Sequence, residues 1–315
     1  MSRPHEARID ASIAIPFIVF TLVWSSTWIV IRDQLGSVPA QWSVAYRFLL
    51  AAPAMALVAK WNGNSLRLDR GGIKAAAILG ITQFFLNFNS VYLAEHFITS
   101  GIVATFFALL LIPNSLLGWA FLGQRPDKRL LIGGALAVAG VGLLFLNEAR
   151  NGPLDSTSAL VGLGFTLLGL LGASMANVYQ AGKEARRYPL FTLLAWSMAI
   201  GALFDAVVAF AVAGPPSFDP RPGYIAGLLY LALAASVLCF SLYFPVVRKI
   251  GPGRAAYSSV LVPILAMSLS TMFEGYRWTL LAGSGALLAI GGMVIALGGP
   301  RRKGRAELVT APDAA

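Results

Sequence analysis

The chain has 315 residues, of which 57% are hydrophobic and 12% are charged, against the roughly 45–50% and about 25% found in soluble domains. So few charged side chains cannot cover the surface of a soluble protein of this length, and the composition therefore excludes an ordinary soluble domain and favours an all-α integral membrane protein. The net charge of +10 is compatible with nucleic-acid binding, whereas one cysteine and two histidines exclude an intrachain disulfide and predict no metal site and no cofactor.

Apolar runs bounded by charged residues, glycine or proline predict ten transmembrane helices. Those of the first half cover residues 13–31, 41–59, 72–94, 97–121 and 130–147, and those of the second half cover 158–181, 190–213, 223–247, 255–273 and 278–298. About 20 apolar residues cross the hydrocarbon core of a bilayer, and these continuous runs differ from the short alternating strands of a membrane barrel. The first run is longer than the apolar part of a secretory signal, so we expect it to be retained as a span.

The basic residues are distributed unevenly between the two sides of the predicted helices. The side that carries both tails and the even-numbered connections holds 19 Lys and Arg, the opposite side holds 4, and Arg47 falls inside the second span. An excess of Lys and Arg marks the cytoplasmic side of a membrane protein. We therefore expect both termini in the cytoplasm, a multi-pass protein of the bacterial inner membrane, and no nucleic-acid partner.

An internal repeat relates the two halves of the chain. A shift of 150 residues superposes each of the first five spans on one of the last five, and it aligns Pro39 with Pro189, Gly101 with Gly251, Pro113 with Pro263, Gly133 with Gly283 and Gly142 with Gly292. The predicted domains are a tail at 1–12, a first five-helix repeat at 13–147, a second at 158–298 and a tail at 299–315. Because five is odd, the second repeat enters the membrane from the opposite side, and such inverted repeats are typical of carriers that work by alternating access.

Two groups of motifs resemble a known family. The first two spans carry Val23-Trp24-Ser25-Ser26-Thr27-Trp28 and Tyr46-Arg47-Phe48-Leu49, and the third and fourth carry Tyr92-Leu93-Ala94 and Thr99-Ser100-Gly101. These residues resemble the EamA type of the drug/metabolite transporter superfamily, and more narrowly the bacterial YddG-type exporters. The resemblance implies ten helices, cytoplasmic termini, efflux of aromatic and other neutral amino acids, and a core made of spans one, three, four, six, eight and nine. The family has an acidic residue after the fourth span. In this chain Gln124 replaces it in the first repeat, and Glu274 stands at the equivalent position of the second.

Two ionisable side chains lie within the predicted spans. Arg47 lies in the second span, where an unpaired charge costs at least about 2.5–3.5 kcal/mol. It either faces a water-filled cavity, where it can meet a substrate carboxylate, or reaches the interface and the backbone carbonyls of a helix end. Asp205 lies near the middle of the seventh span, where it either carries a coupled proton or is a structural carboxylate bonded to Ser or Thr of a neighbouring helix.

The third span carries a polar stripe that lipid would not accommodate. Gln83, Asn87 and Ser90 lie on one helical face, because they are spaced as positions i, i+4 and i+7. The stripe either lines an aqueous cavity or forms hydrogen bonds with neighbouring helices. We favour the cavity for at least part of it.

Aromatic residues with polar neighbours mark further candidate positions in a substrate cavity. They are Trp24 and Trp28 of the first span, Tyr92 of the third, Tyr179 with Asn177 of the sixth, and Tyr243 with Ser241 of the eighth. Apolar walls with a few polar groups suit an amino-acid side chain. The alternative is an aromatic belt at the membrane surface, which applies most to the three tyrosines because they lie near span ends.

Proline and glycine punctuate equivalent spans of the two repeats. Pro113 and Pro263 occupy the same place in the fourth and ninth spans, and each leaves one carbonyl without its helical hydrogen bond. They predict either hinges beside the substrate path or static kinks. The glycine-rich fifth and tenth spans predict close helix packing or a dimer face.

These features together predict a secondary transporter, not an enzyme, that exports aromatic and other neutral amino acids or similar small metabolites by alternating access. Its expected partners are a small-molecule substrate and membrane lipid; a homodimer is compatible with the sequence, but a monomer is sufficient. No G-x-x-x-x-G-K-[ST] phosphate loop occurs in the chain, which argues against direct ATP drive. Two alternatives stay open: a proton-coupled drug or metabolite efflux carrier of broad specificity, and a membrane-embedded enzyme.

Overall fold

The computed structural model describes residues 11–123, 128–151, 156–250, 252–255, 261–273 and 275–297, and within these ranges it is helical apart from short connections, without a strand. The helices are α1 (Ala11–Gln34), α2 (Ala40–Trp61), α3 (Arg70–Ala94), α4 (Ser100–Leu122), α5 (Lys128–Asn151), α6 (Ser156–Ala181), α7 (Leu190–Ala213), α8 (Pro222–Lys249), α9 (Leu261–Phe273) and α10 (Leu280–Leu297). A single helical turn at Lys183–Arg186 precedes α7, and the described helical residues Pro252–Ala255 precede α9. The predicted all-α class is confirmed.

A helix occurs at each of the ten positions where the sequence predicts a span. Seven of them, α1–α4 and α6–α8, are long and apolar enough to cross a membrane. Shorter apolar stretches in α5 and α10 cover Leu131–Asn147 and Leu280–Gly292, and α9 has 13 residues in its described part. The protein is therefore a multi-pass membrane protein, and its full number of ten spans stays a prediction.

The second helices of the two repeats, α2 and α7, begin at equivalent residues. α2 follows Pro39 and α7 follows Pro189, because proline fixes an extended entry and needs no helical partner for an N–H.

The ends of α3 and α4 are capped by local residues. The carboxylate of Asp69 caps the start of α3 by accepting a 2.7 Å hydrogen bond from the backbone of Gly72. α4 ends at Gly123, whose φ of 69° is left-handed and favours glycine.

Helix packing follows the internal repeat. α2 packs against α7, α4 against α9 and α5 against α10, so each of these helices meets its own counterpart. The other main contacts come in pairs that interchange when the repeats are exchanged: α1 contacts α8 and α9, as α6 contacts α3 and α4, and α2 contacts α8, as α7 contacts α3. A pseudo-two-fold axis between the repeats produces this pattern.

The α5–α10 pair is a close backbone contact. A Cβ atom at Gly140 would lie 2.3 Å from the backbone nitrogen of Ala289, and one at Gly292 would lie 2.4 Å from that of Ala137. The predicted close packing of these two glycine-rich helices is thus found between the repeats. Gly142, by contrast, faces open space.

Two wide helical turns occur at the same place in the repeats. α3 is π-helical over Gly80–Asn87 and α8 is π-helical over Tyr230–Leu238. The two segments begin 150 residues apart, which is the shift that relates the repeats. Such segments break regular hydrogen bonding and are frequent at functional sites. They place irregular backbone on two helices that face the centre of the molecule.

The fourth span is interrupted near its midpoint. A short 3₁₀ segment at Ala108–Leu110 lies just before Pro113, where the carbonyl of Leu109 lacks a proline N–H to bind. Pro263 lies in α9. Gln124, Gly251 and Glu274 lie outside the described residues.

Candidate functional site

A cavity of about 140 Å³ lies at the junction of the two repeats. Its lining residues come from α1, α2, α3 and α4 of the first repeat and from α6, α8 and α9 of the second. A single water needs about 10–15 Å³, so the cavity has room for several waters or part of a small solute. Neither α5, α7 nor α10 contributes a described lining residue, which separates the cavity from the close α5–α10 contact.

Seven of the eleven residues that the sequence nominates for a cavity line this one. They are Trp24, Trp28, Arg47, Gln83, Asn87, Asn177 and Tyr243. Sequence reasoning missed Phe88, Phe107 and Phe240, because a phenylalanine in a membrane helix gives no signal that distinguishes a cavity wall from a lipid-facing surface. It also passed over Thr27, which lies between the two nominated tryptophans and lines the cavity.

Four buried polar atoms of the lining have no protein hydrogen-bond partner: Trp28 Nε1, Arg47 Nη1, Asn87 Oδ1 and Asn177 Oδ1. The four side chains are at most 9% exposed. Burying a polar group without a partner costs about 1–3 kcal/mol, and more when the group is charged. The residues that line the cavity therefore include two donors and two acceptors without a protein partner, which a polar ligand would satisfy.

Arg47 is held deep in the protein by contacts that leave part of its charge available. Its Nε donates a 3.0 Å hydrogen bond to the hydroxyl of Ser236, in the π-helical segment of α8, and its guanidinium lies 4.3 Å from the ring centre of Phe88. The side chain is 1% exposed, so it does not reach the membrane interface. No carboxylate pairs with it among the ion pairs of the described residues. A buried, unpaired cation is a strong attractor for an anionic group.

An aromatic wall runs along one side of the cavity. The ring of Trp24 lies 5.5 Å from that of Phe240 and 5.0 Å from that of Tyr243, and Phe240 lies 6.3 Å from Phe88. Trp24 Nε1 donates a 3.0 Å hydrogen bond to the carbonyl of Ala235 in the π-helical segment. These edge-to-face contacts fix the wall and give the cavity an apolar, aromatic side.

The other four nominated residues lie outside this cavity. The Tyr92 hydroxyl donates a 3.2 Å hydrogen bond to Gln34 Oε1, and the Ser241 hydroxyl points at the Met55 sulfur at 3.7 Å. Ser90 faces the backbone of α6 at Gly169. Tyr179 packs in a separate cluster between α3, α6 and α7.

Asp205 lies in α7 and does not touch the cavity. It is fully buried, and Asn89 Nδ2 of α3 donates a 2.5 Å hydrogen bond to its Oδ1, while its Oδ2 has no protein partner. The sequence predicts that a structural carboxylate at this position bonds to Ser or Thr of a neighbouring helix. The partner in the structure is instead an asparagine.

Polar contacts close the helix ends on both faces of the protein. At one face Arg32 of α1 donates to the Glu95 carbonyl beyond α3, next to the Tyr92–Gln34 bond. At the other face Arg248 of α8 donates to Gln180 Oε1 of α6 at 3.0 Å and to the Ala185 carbonyl at 2.9 Å. We call these contacts the α1–α3 latch and the α6–α8 latch; exchange of the repeats interchanges the two helix pairs.

The connections beside the first latch carry shifted titratable groups. Burial and the nearby Arg32 guanidinium lower the pKa of His96. In the α7–α8 connection the Ser37 hydroxyl, at 2.5 Å, and the backbone and side chain of Arg221 hold the pKa of Asp219 down to about 2. These bonds tie the α1–α2 and α7–α8 connections together on this face.

Two related helical repeats that cross a membrane and enclose a mixed polar and aromatic cavity define a membrane transporter of small molecules. The chain belongs to the EamA-like transporter family, whose model matches residues 12–146 and again residues 160–298. This membership agrees with the predicted transporter and does not support the alternative of a membrane-embedded enzyme.

Similar proteins agree with this assignment, and a solved structure has the same fold. An Escherichia coli protein named probable amino-acid metabolite efflux pump is 25% identical over 304 residues, covering 94% of this chain and 97% of its own length. Another Escherichia coli protein, named uncharacterized inner membrane transporter YedA, is 25% identical over 258 residues, covering 81% of this chain and 80% of its own. A crystal structure matches with a TM-score of 0.69 at 17% identity, covering 91% of this chain and 96% of that chain, which supports the fold.

Proposed function

We propose that the protein exports aromatic and other neutral amino acids by alternating access through the central cavity. The observation that carries the proposal is the cavity itself, which lies between the repeats and combines an aromatic wall with four unpartnered polar atoms. A few polar fixing points on apolar walls suit an amino acid with a large side chain. The relative named as an amino-acid metabolite efflux pump supports the same substrate class.

The proposed orientation places both termini in the cytoplasm, in a bacterial inner membrane. It rests on the 19 basic residues of one side against 4 on the other, and the relative named as an inner membrane transporter supports the location. In this orientation the α1–α3 latch faces the periplasm and the α6–α8 latch faces the cytoplasm.

The two latches supply the two gates of the proposed cycle. Opening the α6–α8 latch while the α1–α3 latch stays closed gives an inward-open state, and the reverse gives an outward-open state. Because the helix pairs are related by exchange of the repeats, both states use similar packing and lie close in free energy. Pro113 and Pro263, with the 3₁₀ segment before Pro113, are the proposed hinges in α4 and α9.

The proposal is tested with purified protein in liposomes. Tryptophan, phenylalanine and threonine should cross the membrane faster than in empty liposomes, and Arg47→Gln should reduce the tryptophan rate by at least about tenfold, since a charge-assisted hydrogen bond contributes about 1.5–3 kcal/mol. Tyr179→Phe, a change outside the cavity, is the matched control and should transport normally. A panel of neutral amino acids that crosses no faster than in empty liposomes would refute the amino-acid assignment.

A proton-coupled mechanism is the second candidate. It is favoured by Asp205, a buried carboxyl group with one oxygen lacking a protein partner, because intramembrane carboxyl groups commonly carry protons in transporters. An imposed pH gradient without a substrate gradient should then drive accumulation of tryptophan, and Asp205→Asn should abolish accumulation while leaving equilibration intact. Transport that only equilibrates, with the same rate in Asp205→Asn, identifies a uniporter.

A further inference from the structure

We propose that the substrate is a zwitterionic α-amino acid that lies lengthwise in the cavity as it widens when one latch opens, with its charged groups at Arg47, Trp28 and Asn87 and its side-chain tip at Asn177. The inference rests on the proposed function and deepens it by assigning an end of the substrate to each unpartnered polar atom. It is carried by the levels at which these four residues lie along their helices.

Three of the four groups lie at one depth. Arg47 comes seven residues after the start of α2, Asn87 seven before the end of α3 and Trp28 six before the end of α1. These helix ends meet at the same face, where Arg32 of α1 bonds to Glu95 beyond α3. At 1.5 Å per residue, the three side chains start about 9–10 Å below that face.

The grouping at this depth has the chemistry of an amino-acid binding site. The free N–H groups of Arg47 and Trp28 are donors that match a carboxylate, and the free Asn87 oxygen is an acceptor that matches an ammonium. Arg47 is the one ionised residue among the described cavity residues, so the carboxylate has a single counter-charge. The two charged groups of an α-amino acid are bonded to one carbon, and the three residues that match them lie at one depth.

The fourth polar group lies at the other end of the cavity. A Cβ atom at Gly172 of α6 would lie 3.2 Å from the backbone nitrogen of Asn87, which sets the level of α6 opposite that residue. Asn177 comes five residues later in the same helix, about 7.5 Å further from the α1–α3 latch. There its carboxamide borders the Tyr243 hydroxyl and its Oδ1 has no partner.

The aromatic wall connects the two ends. Phe88 contacts Arg47, and Phe240 and Trp24 continue the wall to Tyr243, beside Asn177. An aromatic side chain lying along this wall makes ring contacts and brings its tip to the Asn177 oxygen. A donor at the tip, such as the indole N–H of tryptophan, gains a hydrogen bond there, whereas phenylalanine offers none.

The inference is tested by binding measurements on the purified full chain with four probes. They are tryptophan, tryptamine (without the carboxylate), indole-3-propionate (without the ammonium) and phenylalanine (without a donor at the tip). We expect tryptophan to bind at least about tenfold more tightly than either tryptamine or indole-3-propionate, because each lacks a charged group that meets a buried partner. Phenylalanine should bind more weakly than tryptophan by a smaller factor.

Variants separate the two ends of the site. Arg47→Gln and Arg47→Lys should weaken tryptophan and phenylalanine alike, Lys less than Gln. Asn177→Leu should lower the affinity for tryptophan by about threefold to tenfold and leave phenylalanine unchanged, so the preference between the two is lost. Ser241→Ala, outside the cavity, is the control and should leave both affinities unchanged.

Each part of the inference has its own contrary result. Tryptamine binding as tightly as tryptophan overturns the carboxylate end, indole-3-propionate binding as tightly overturns the ammonium end, and equal losses for tryptophan and phenylalanine in Asn177→Leu overturn the side-chain placement. In all three cases amino-acid transport in liposomes can remain, so the proposed function survives. Absence of both binding and transport for all amino acids refutes the proposed function as well.

Discussion

The close contact between α5 and α10 allows a sharp test of the packing between the repeats. The perturbation is Gly140→Ala, which adds one methyl group at a position where a Cβ atom would lie 2.3 Å from the Ala289 nitrogen and 2.5 Å from the Gly285 carbonyl oxygen. Favourable carbon contacts lie at about 3.5–4.0 Å, so the two helices must separate by about 1 Å. Both obstructing atoms belong to the backbone, so no side-chain rotation relieves the contact.

The expected cost follows from overpacking. Added methylene groups in a well-packed core destabilise by about 1–3 kcal/mol. Gly142→Ala is the matched control, because Gly142 lies two residues away in the same helix and has no atom within 4 Å; it should be neutral or gain up to about 1 kcal/mol from helix propensity. Tryptophan binding should be the same in both variants, since α5 and α10 do not line the cavity in the described residues.

Thermal unfolding in detergent measures the difference, with all variants heated at one scan rate because such transitions are often irreversible. Gly140→Ala should unfold several degrees below the unaltered protein, and Gly142→Ala at or slightly above it. Gly140→Ala unfolding at the same temperature as Gly142→Ala would refute the close α5–α10 contact.

Two further predictions concern the face with the α1–α3 latch. Asp219 has a folded-state pKa of about 2, below the roughly 3.9 of an aspartate in an unfolded chain. Its stabilising effect is therefore complete above about pH 4 and is lost as the pH falls toward 2. Asp219→Asn should flatten the dependence of the unfolding temperature on pH in that window and leave this dependence unchanged between pH 6 and 8. The side chains of Gln34 and Tyr92 are joined by a 3.2 Å hydrogen bond, so a bifunctional thiol reagent should bridge cysteines that replace both residues, and transport should be lost. A protein with either single cysteine, treated in the same way, should keep transporting. Full activity after bridging would contradict a gate at this latch.

Much of the fold can be predicted from the sequence because a membrane leaves few alternatives. Apolar runs must become helices there, and proline at equivalent places fixes where α2 and α7 begin. The ends are less certain: α6 starts at Ser156, two residues before the predicted start at 158. The π-helical segments give no signal, because Gly80–Asn87 and Tyr230–Leu238 share a position but no residue pattern.

The same irregular turn explains why the polar stripe of α3 is only partly a cavity face. Gln83 and Asn87 lie inside the π-helical segment and line the cavity, whereas Ser90 lies beyond it and faces Gly169. A period of 3.6 residues assigns all three to one face, but a π-helical turn contains more residues and so rotates the next part of the helix. The stripe therefore divides between a cavity lining and a helix contact.

Arg47 illustrates what composition and charge can and cannot tell. Its position inside a span marks it as exceptional, yet only the structure shows that Ser236 and Phe88 hold it while one N–H stays unpartnered. Both partners lie far from Arg47 in the sequence, on α8 and α3. The charge can be found from sequence; its neighbours cannot.

Counterflow in liposomes measures whether the protein carries tryptophan by alternating access. Vesicles loaded with unlabelled tryptophan in excess are placed in a trace of labelled tryptophan, without any other gradient. A carrier that exposes one cavity alternately to each side exchanges the two, so labelled tryptophan should accumulate transiently inside, and Arg47→Gln should prevent this while Tyr179→Phe does not. Labelled tryptophan that never exceeds its external concentration, in vesicles that contain folded protein, would contradict amino-acid transport by alternating access.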